Sequence, residues 1–481
     1  MHSLSKTKEI KKTSKHSKAY RHTVVGAGVT GIQMVLIFLD QGVKPKDILW
    51  IDEDFNSGAF GRQLLGIAGN TAVGKYQDVF RKMFAVLRKF NVTVNEDEFA
   101  IFKPTYAEMF AELKKQNITL NETEEQIVCK YPNIKDYCCS LSMVTPVLQF
   151  MTEKLRGIVP SVKAKVKDID KAKDKLKKNI LCSTSEGDVY FQSLTATIAN
   201  GAKPKTVKDL EGYKPPTVDR EIPPWTALSM PDLEKYLRDH SEIKSIAIMN
   251  GWSHSGALIL KNILFISDKL ESEGRPRVKV TMIASDYPKF RYTDPVTGEI
   301  VHNNNGLSGD SAHLVLGMIM DPAISAKYEG QWQSKILEGR IFYHDVPDEE
   351  GVAIVAAFGF KPSNIITVNG KNLSSFIEAH PNGGSFKEGI FTAGFTSPIK
   401  DDENAPIVGI TKVWDITQRV AQLAIGAANL VEERADSVKL FSSEAAFFAN
   451  RSVANGIQSL GAKGIPISRQ VRGPELPRAK L

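Results

Sequence analysis

The sequence predicts an α/β fold made of two Rossmann-like parallel-sheet units, the second inserted into the first. Three observations predict it. Two strand–turn–helix segments carry glycines at the spacing of a G-x-G-x-x-G motif, beginning at Gly26 and Gly251. A further strand follows each segment and ends near an acidic residue, Asp52 or Asp286. Two apolar strands that run into glycine turns, Thr195–Ala199 and Val352–Phe358, stand where the chain would cross between the units.

Thr23-Val24-Val25 is a short apolar strand, followed by Gly26-Ala27-Gly28-Val29-Thr30-Gly31 and a helical run from Ile32 to Asp40. Each glycine has a physical role. Gly26 permits the tight turn, Gly28 lets a pyrophosphate approach the backbone, and Gly31 brings helix and strand close. The helix N-terminus then offers unpaired N–H groups and the positive end of its dipole to phosphates. Ile48-Leu49-Trp50-Ile51 forms the next strand and ends at Asp52, 21 positions after Gly31, where a carboxylate meets a ribose hydroxyl. Strand, helix, second strand and acid in this register mark a dinucleotide site.

Ser245-Ile246-Ala247-Ile248-Met249-Asn250 reads as a strand, Gly251-Trp252-Ser253-His254-Ser255-Gly256 as its turn, and Ala257 to about Leu270 as a helix. Ser253 takes the place of the middle glycine; it is small, but its Cβ narrows the approach to a phosphate. The next strand, Val278 to Ala284, ends at Ser285-Asp286 with Arg275, Arg277, Lys289 and Arg291 around it. Cations at this strand end suit a cofactor with a 2′-phosphate, and a carboxylate suits a free 2′-hydroxyl. Arg291 reaching back favours NADPH over NADH.

Ala199-Asn200-Gly201-Ala202-Lys203-Pro204 and Ala357-Phe358-Gly359-Phe360-Lys361-Pro362 share one pattern, a strand end, a glycine and a proline three positions later. Between the motifs, Val162 to Gln192 alternates and is rich in lysine, as an exposed β-meander is. Its lysines read as a solvated face.

A chain of 481 residues, 42% apolar and 24% charged, has room for several cores. Apolar runs such as Val35–Leu39 are too short to cross a bilayer, and the basic N-terminus lacks the apolar stretch of a secretory signal. The expected location is cytoplasmic. Of the net charge of +7, residues 1–22 supply +6, which leaves +1 for the rest and argues against nucleic acid as a partner. Cys129, Cys138, Cys139 and Cys182 form no C-x-x-C and have no histidine at zinc spacing, so no metal site is expected.

In motif order, from about residue 23 to 430, the chain resembles the two-dinucleotide-domain flavoproteins, the flavin-containing monooxygenases and related pyridine-nucleotide oxidoreductases. The resemblance implies that Gly26, Gly28, Gly31 and Asp52 bind FAD. It implies that Gly251, Ser253, Ser255 and Gly256, similar to the monooxygenase G-x-G-x-S-G motif, bind NADP together with Arg291. Gly201 and Gly394 are implied as further cofactor contacts, Gly394 within Gly389–Phe395, which is similar to the strand reaching the flavin's ribityl chain. Asn70, in a segment that resembles the monooxygenase N-x-x-x-K region beside the flavin, is the candidate catalytic residue; a helix cap for the run Tyr76–Phe90 is its alternative. His254 is read as lining the cofactor loop, and Asn303–Gly306 as a turn. Four departures stand out. Asn200 replaces a threonine, Phe395 replaces an aspartate, Pro223-Pro224-Trp225-Thr226 stands where a Baeyer–Villiger signature would, and the absence of C-x-x-C argues against disulfide reduction.

The implied organisation is a basic flexible tail over 1–22, an FAD domain over 23–221 and 351–455, an NAD(P) domain over 222–350, and a C-terminal tail over 456–481. The implied activity is FAD-dependent NAD(P)H oxidoreduction of the monooxygenase type, on a small-molecule substrate or electron acceptor and without a membrane span. A reductase of a protein partner that docks on the basic tail, and a non-catalytic nucleotide-binding sensor, are the alternatives.

Overall fold

The computed structural model describes residues 19–436, apart from 65–66, 121, 173–175, 214–219, 294–299, 302–306, 338–339, 364, 386 and 395–409. Phe395 and Asn303–Gly306, both singled out above, lie outside the described residues.

The first sheet is built on the strand Tyr20–Val25, which pairs in parallel with Ile48–Asp52 on one side and Gly187–Ile198 on the other. Ser161–Lys163 extends the sheet past Ile48–Asp52, and Ile390–Thr392 joins in parallel beyond Gly187–Ile198. Both faces are covered. Val24 and Phe391 turn toward the helices Val29–Asp40 and Ile410–Asp436, whereas Val25, Ile198 and Ile390 pack toward the meander. Parallel strands covered on both faces read as continuous apolar runs, which is how Thr23–Val25 and Ile48–Ile51 read in the sequence. The meander is antiparallel, with Lys165–Lys171, Lys178–Thr184 and the first half of Gly187–Ile198 side by side. Lys167 pairs with Asp188 at 2.8 Å and Lys171 with Glu388 at 3.0 Å on a solvated face, whereas Lys178 departs from the expectation and is buried.

The second sheet is all parallel, in the spatial order Trp332–Ile336, Lys279–Ala284, Ser245–Met249 and Val352–Ala356. The helix His254–Ser272 buries Ala257, Ile259, Leu260, Ile263 and Ile266 against it. The two bodies are joined at a short ribbon in which Ala202–Pro204 pairs antiparallel with Phe360–Pro362.

The sheets move two of the expected boundaries. The first strand begins at Tyr20, and His22 within it is fully buried, so residues 20–22 belong to the first sheet rather than to the segment expected over 1–22. Val352–Ala356 is a strand of the second sheet, so the chain leaves that body after Ala357 rather than at 350. At the second boundary the strand that precedes the ribbon, Val352–Ala356, completes the sheet the chain is leaving. No helix among the described residues is long and apolar enough to cross a membrane.

Candidate functional site

The first glycine loop is shaped by backbone contacts. Gly26 has φ +106, and a Cβ there would lie 2.3 Å from the carbonyl oxygen of Ala199. A Cβ on Gly31 would lie 1.9 Å from the carbonyl oxygen of Gly26. Gly28 is different. It is the N-cap of the helix Val29–Asp40 in extended conformation, and a Cβ there would meet nothing within 4 Å. The protein's own packing therefore demands glycine at 26 and 31 but not at 28. No side chain caps this helix, so its first N–H groups face an open cradle of the kind that takes an anion.

Asp52 closes the loop from the side. One carboxylate oxygen accepts from the N–H of Ala27 at 2.7 Å; the other accepts from Phe55 at 2.7 Å and Asp54 at 3.1 Å. Burial pushes its carboxyl above the ordinary range, and those three N–H bonds oppose the shift. Much of the carboxylate is thus engaged in holding the turn, with the Ala27 acceptor retaining one lone pair for a further donor.

Two contributors were not legible beforehand. The turn after Asp52 brings Gly58 against the cradle, with Ser57 next to it in the chain: Gly58 has φ +62, and a Cβ there would sit 3.0 Å from Gly28 Cα. Ser57 has φ +54 and is fully buried, and its hydroxyl has no partner among the described residues. The turn-forming Asn56-Ser57-Gly58 was the available signal. Gly394, at φ +73, abuts the first turn of the helix, where a Cβ would overlap the Thr30 hydroxyl. Gly26, Gly28, Gly31, Asp52 and Gly394 are therefore gathered at one strand end. Gly201, at φ +74, follows two residues after Ala199 and opens the ribbon.

The second loop repeats the scaffold. Ala357 N–H donates to Met249 at 2.9 Å as Ala199 N–H donates to Val25 at 2.7 Å. A Cβ on Gly256 would lie 2.2 Å from the Gly251 carbonyl oxygen, matching Gly31 over Gly26. The middle position differs. Ser253 is the helix N-cap, with its hydroxyl accepting from Gly256 N–H at 3.0 Å and donating to the Ala357 carbonyl at 3.1 Å. Asn250, at φ +62, closes a turn by accepting from Ser253 N–H at 3.0 Å. His254 opens the helix with Nδ1 2.9 Å from the hydroxyl of buried Ser311, and Ser255 is half-buried beside it.

The expected cluster of cations does not form as a unit. Arg275 and Arg277 precede the strand Lys279–Ala284 and so lie at its far end, about 20 Å of strand away from the loop. Arg277 is moreover paired with Glu271 at 2.8 Å and Asp268 at 3.3 Å. Lys289 pairs with Asp286 at 2.7 Å, and Arg291 is exposed beyond it. Asn70 lies in the strand Ala68–Ala72, which pairs with Cys138–Ser140, and its side chain is outside the described residues. The helix Val73–Arg88 is N-capped by Ala72, so Asn70 is not its cap.

No protein-family model and no curated protein matches the chain. Solved structures do match in shape. An FAD-bound cadaverine monooxygenase of desferrioxamine biosynthesis from Erwinia amylovora aligns with TM-score 0.51 at 9% identity, over 85% of this chain and 95% of that one. The bacillithiol disulfide reductase of Staphylococcus aureus aligns with TM-score 0.43 at 10% identity over 87% and 100%. An NADP-bound steroid monooxygenase aligns with TM-score 0.43 at 12% identity, over 87% of each chain.

Proposed function

We propose that this chain, which has the fold of the two-dinucleotide-domain flavoproteins, is an FAD-dependent NAD(P)H oxidoreductase of monooxygenase-like type acting in the cytoplasm on a small-molecule substrate or electron acceptor. The observation that carries this reading is the cradle at Gly28. It is a glycine with no packing reason to be one, at the mouth of an uncapped helix, with an orphaned buried hydroxyl at Ser57 beside it. These residues fit a bound pyrophosphate. FAD, when bound, supplies the two-electron chemistry, so few side chains need be reactive. The chain's part is to hold the cofactor by the Gly26–Gly31 loop, Asp52 and Gly394, and to present Asn70 as a hydrogen-bonding group. Gly251, Ser253, Ser255 and Gly256 would hold the nicotinamide cofactor, with Arg291 favouring NADPH.

The test is anaerobic addition of NADPH to FAD-loaded protein while the flavin absorbance is followed. Rapid bleaching supports an enzyme, and readmitted oxygen then separates oxygenase from reductase. A flavin that stays oxidised with NADPH and NADH alike favours the second reading, a non-catalytic nucleotide-binding protein. The observation on that side is the self-capped second loop at Ser253.

A further inference from the structure

The two glycine loops share a scaffold and differ at one position. At Gly28 the helix start is uncapped and open; at Ser253 the equivalent cradle holds the protein's own hydroxyl. We infer that Ser253 is a built-in competitor for the dinucleotide phosphate, which sets loose, rapidly reversible binding at the second site while the first site holds its nucleotide tightly. This rests on the reading of the second loop as a nicotinamide-cofactor site.

The physical argument has three parts. A hydroxyl that accepts from Gly256 N–H at 3.0 Å occupies a donor that a phosphate oxygen would otherwise take. The same hydroxyl donates to the Ala357 carbonyl at 3.1 Å, and Asn250 Nδ2 donates to that carbonyl at 3.1 Å, so the cap is anchored to the neighbouring strand end. Moving Ser253 aside therefore leaves an acceptor short of one donor. Finally, the Asn250–Ser253 turn is closed by its own backbone bond at 3.0 Å, so the loop is satisfied without a ligand. A phosphate arriving here must displace bonds already made, which weakens net binding; at Gly28 it displaces only solvent.

The test titrates NADP+ calorimetrically into FAD-loaded wild-type protein, Ser253→Gly and Ser253→Ala. Ser253→Gly removes both the competing hydroxyl and the Cβ at little cost to the helix, because glycine is a tolerated N-cap. Its dissociation constant should fall about tenfold, the worth of one freed hydrogen bond to a charged group. Ser253→Ala frees the N–H but keeps the Cβ. Tightening in both variants assigns the effect to the hydroxyl and supports the inference, whereas tightening in Ser253→Gly alone assigns it to the Cβ and overturns the competing role of the hydroxyl. Unchanged or weaker binding in both variants, with the wild type binding, overturns it and leaves the site assignment standing. If none of the three proteins binds NADP+ or NAD+ at millimolar concentration, the assignment of the second site is overturned and the inference falls with it.

Discussion

The indole N–H of Trp50 donates to the carbonyl oxygen of Gly26 at 2.9 Å, with Trp50 fully buried beneath the first glycine loop. The bond ties the end of one strand to the turn that follows its neighbour, and so fixes where the cradle faces. Trp50→Phe leaves the Gly26 carbonyl without this donor and opens a small void. It should destabilise the protein by about 2–4 kcal/mol, read as a shifted denaturant midpoint at unchanged slope.

The three glycines of the first loop should separate into two kinds. Gly31→Ala places a Cβ 1.9 Å from a backbone oxygen and should compromise folding. The Cβ of Gly28→Val meets no protein atom within 4 Å, so thermal stability of the flavin-free protein should change far less than in Gly31→Ala while flavin content after purification drops. Equal flavin occupancy in Gly28→Val and wild type would contradict the role given to this position.

Ser57→Ala isolates a cofactor contact from a structural one. Its hydroxyl is buried and has no partner among the described residues, so its removal should leave the flavin-free protein as stable or slightly more stable. A several-fold weaker FAD affinity in the same variant, by fluorescence titration, is the expected result.

His22 predicts a pH dependence. Burial, aided by the neighbouring Arg21 cation, lowers its imidazole to about 3, with Nδ1 bonded to the Thr195 hydroxyl and the ring stacked 4.4 Å from Phe38. The unfolded chain binds a proton near the ordinary value of about 6.5 that the folded chain refuses. Its contribution to stability is therefore complete above that value and is lost as the pH falls from about 6.5 toward 3, at about 1.4 kcal/mol per pH unit. His22→Gln, which keeps a bond to Thr195 within reach, should flatten the acid limb of the stability curve by one proton.

Asn70→Ala tests the proposed catalytic role. Flavin content and anaerobic reduction by NADPH should be unchanged, because Asn70 is in neither glycine loop. Reoxidation by oxygen should change in rate by about tenfold or more if the side chain holds the bound flavin by a hydrogen bond, in line with losses at such donors. An unaltered rate would remove Asn70 from the reaction.

Much of the fold was legible because it is encoded locally. The alternation of apolar strand, glycine turn and helix at Thr23–Asp40 and Ser245–Leu270 obeys short-range sterics, and the observed helices Val29–Asp40 and His254–Ser272 differ from expectation only by their first turns and a few terminal residues. The repeated strand–Gly–Pro crossings were legible for the same reason. What the sequence by itself determined is therefore the two nucleotide-type loops, their order and the nesting of one body in the other. Only the tertiary structure decided what each loop position does. That Gly28 is free of packing demands while Gly26 and Gly31 are not depends on Ala199, a residue 173 positions from Gly26, and on the path of the turn itself. That Ser253 anchors its cap on Ala357, that Arg277 lies at the wrong end of its strand, and that Gly58 approaches Gly28 are likewise set beyond the local sequence. Strand pairing sets them, and pairing is a property of the whole sheet that no window of neighbouring residues contains.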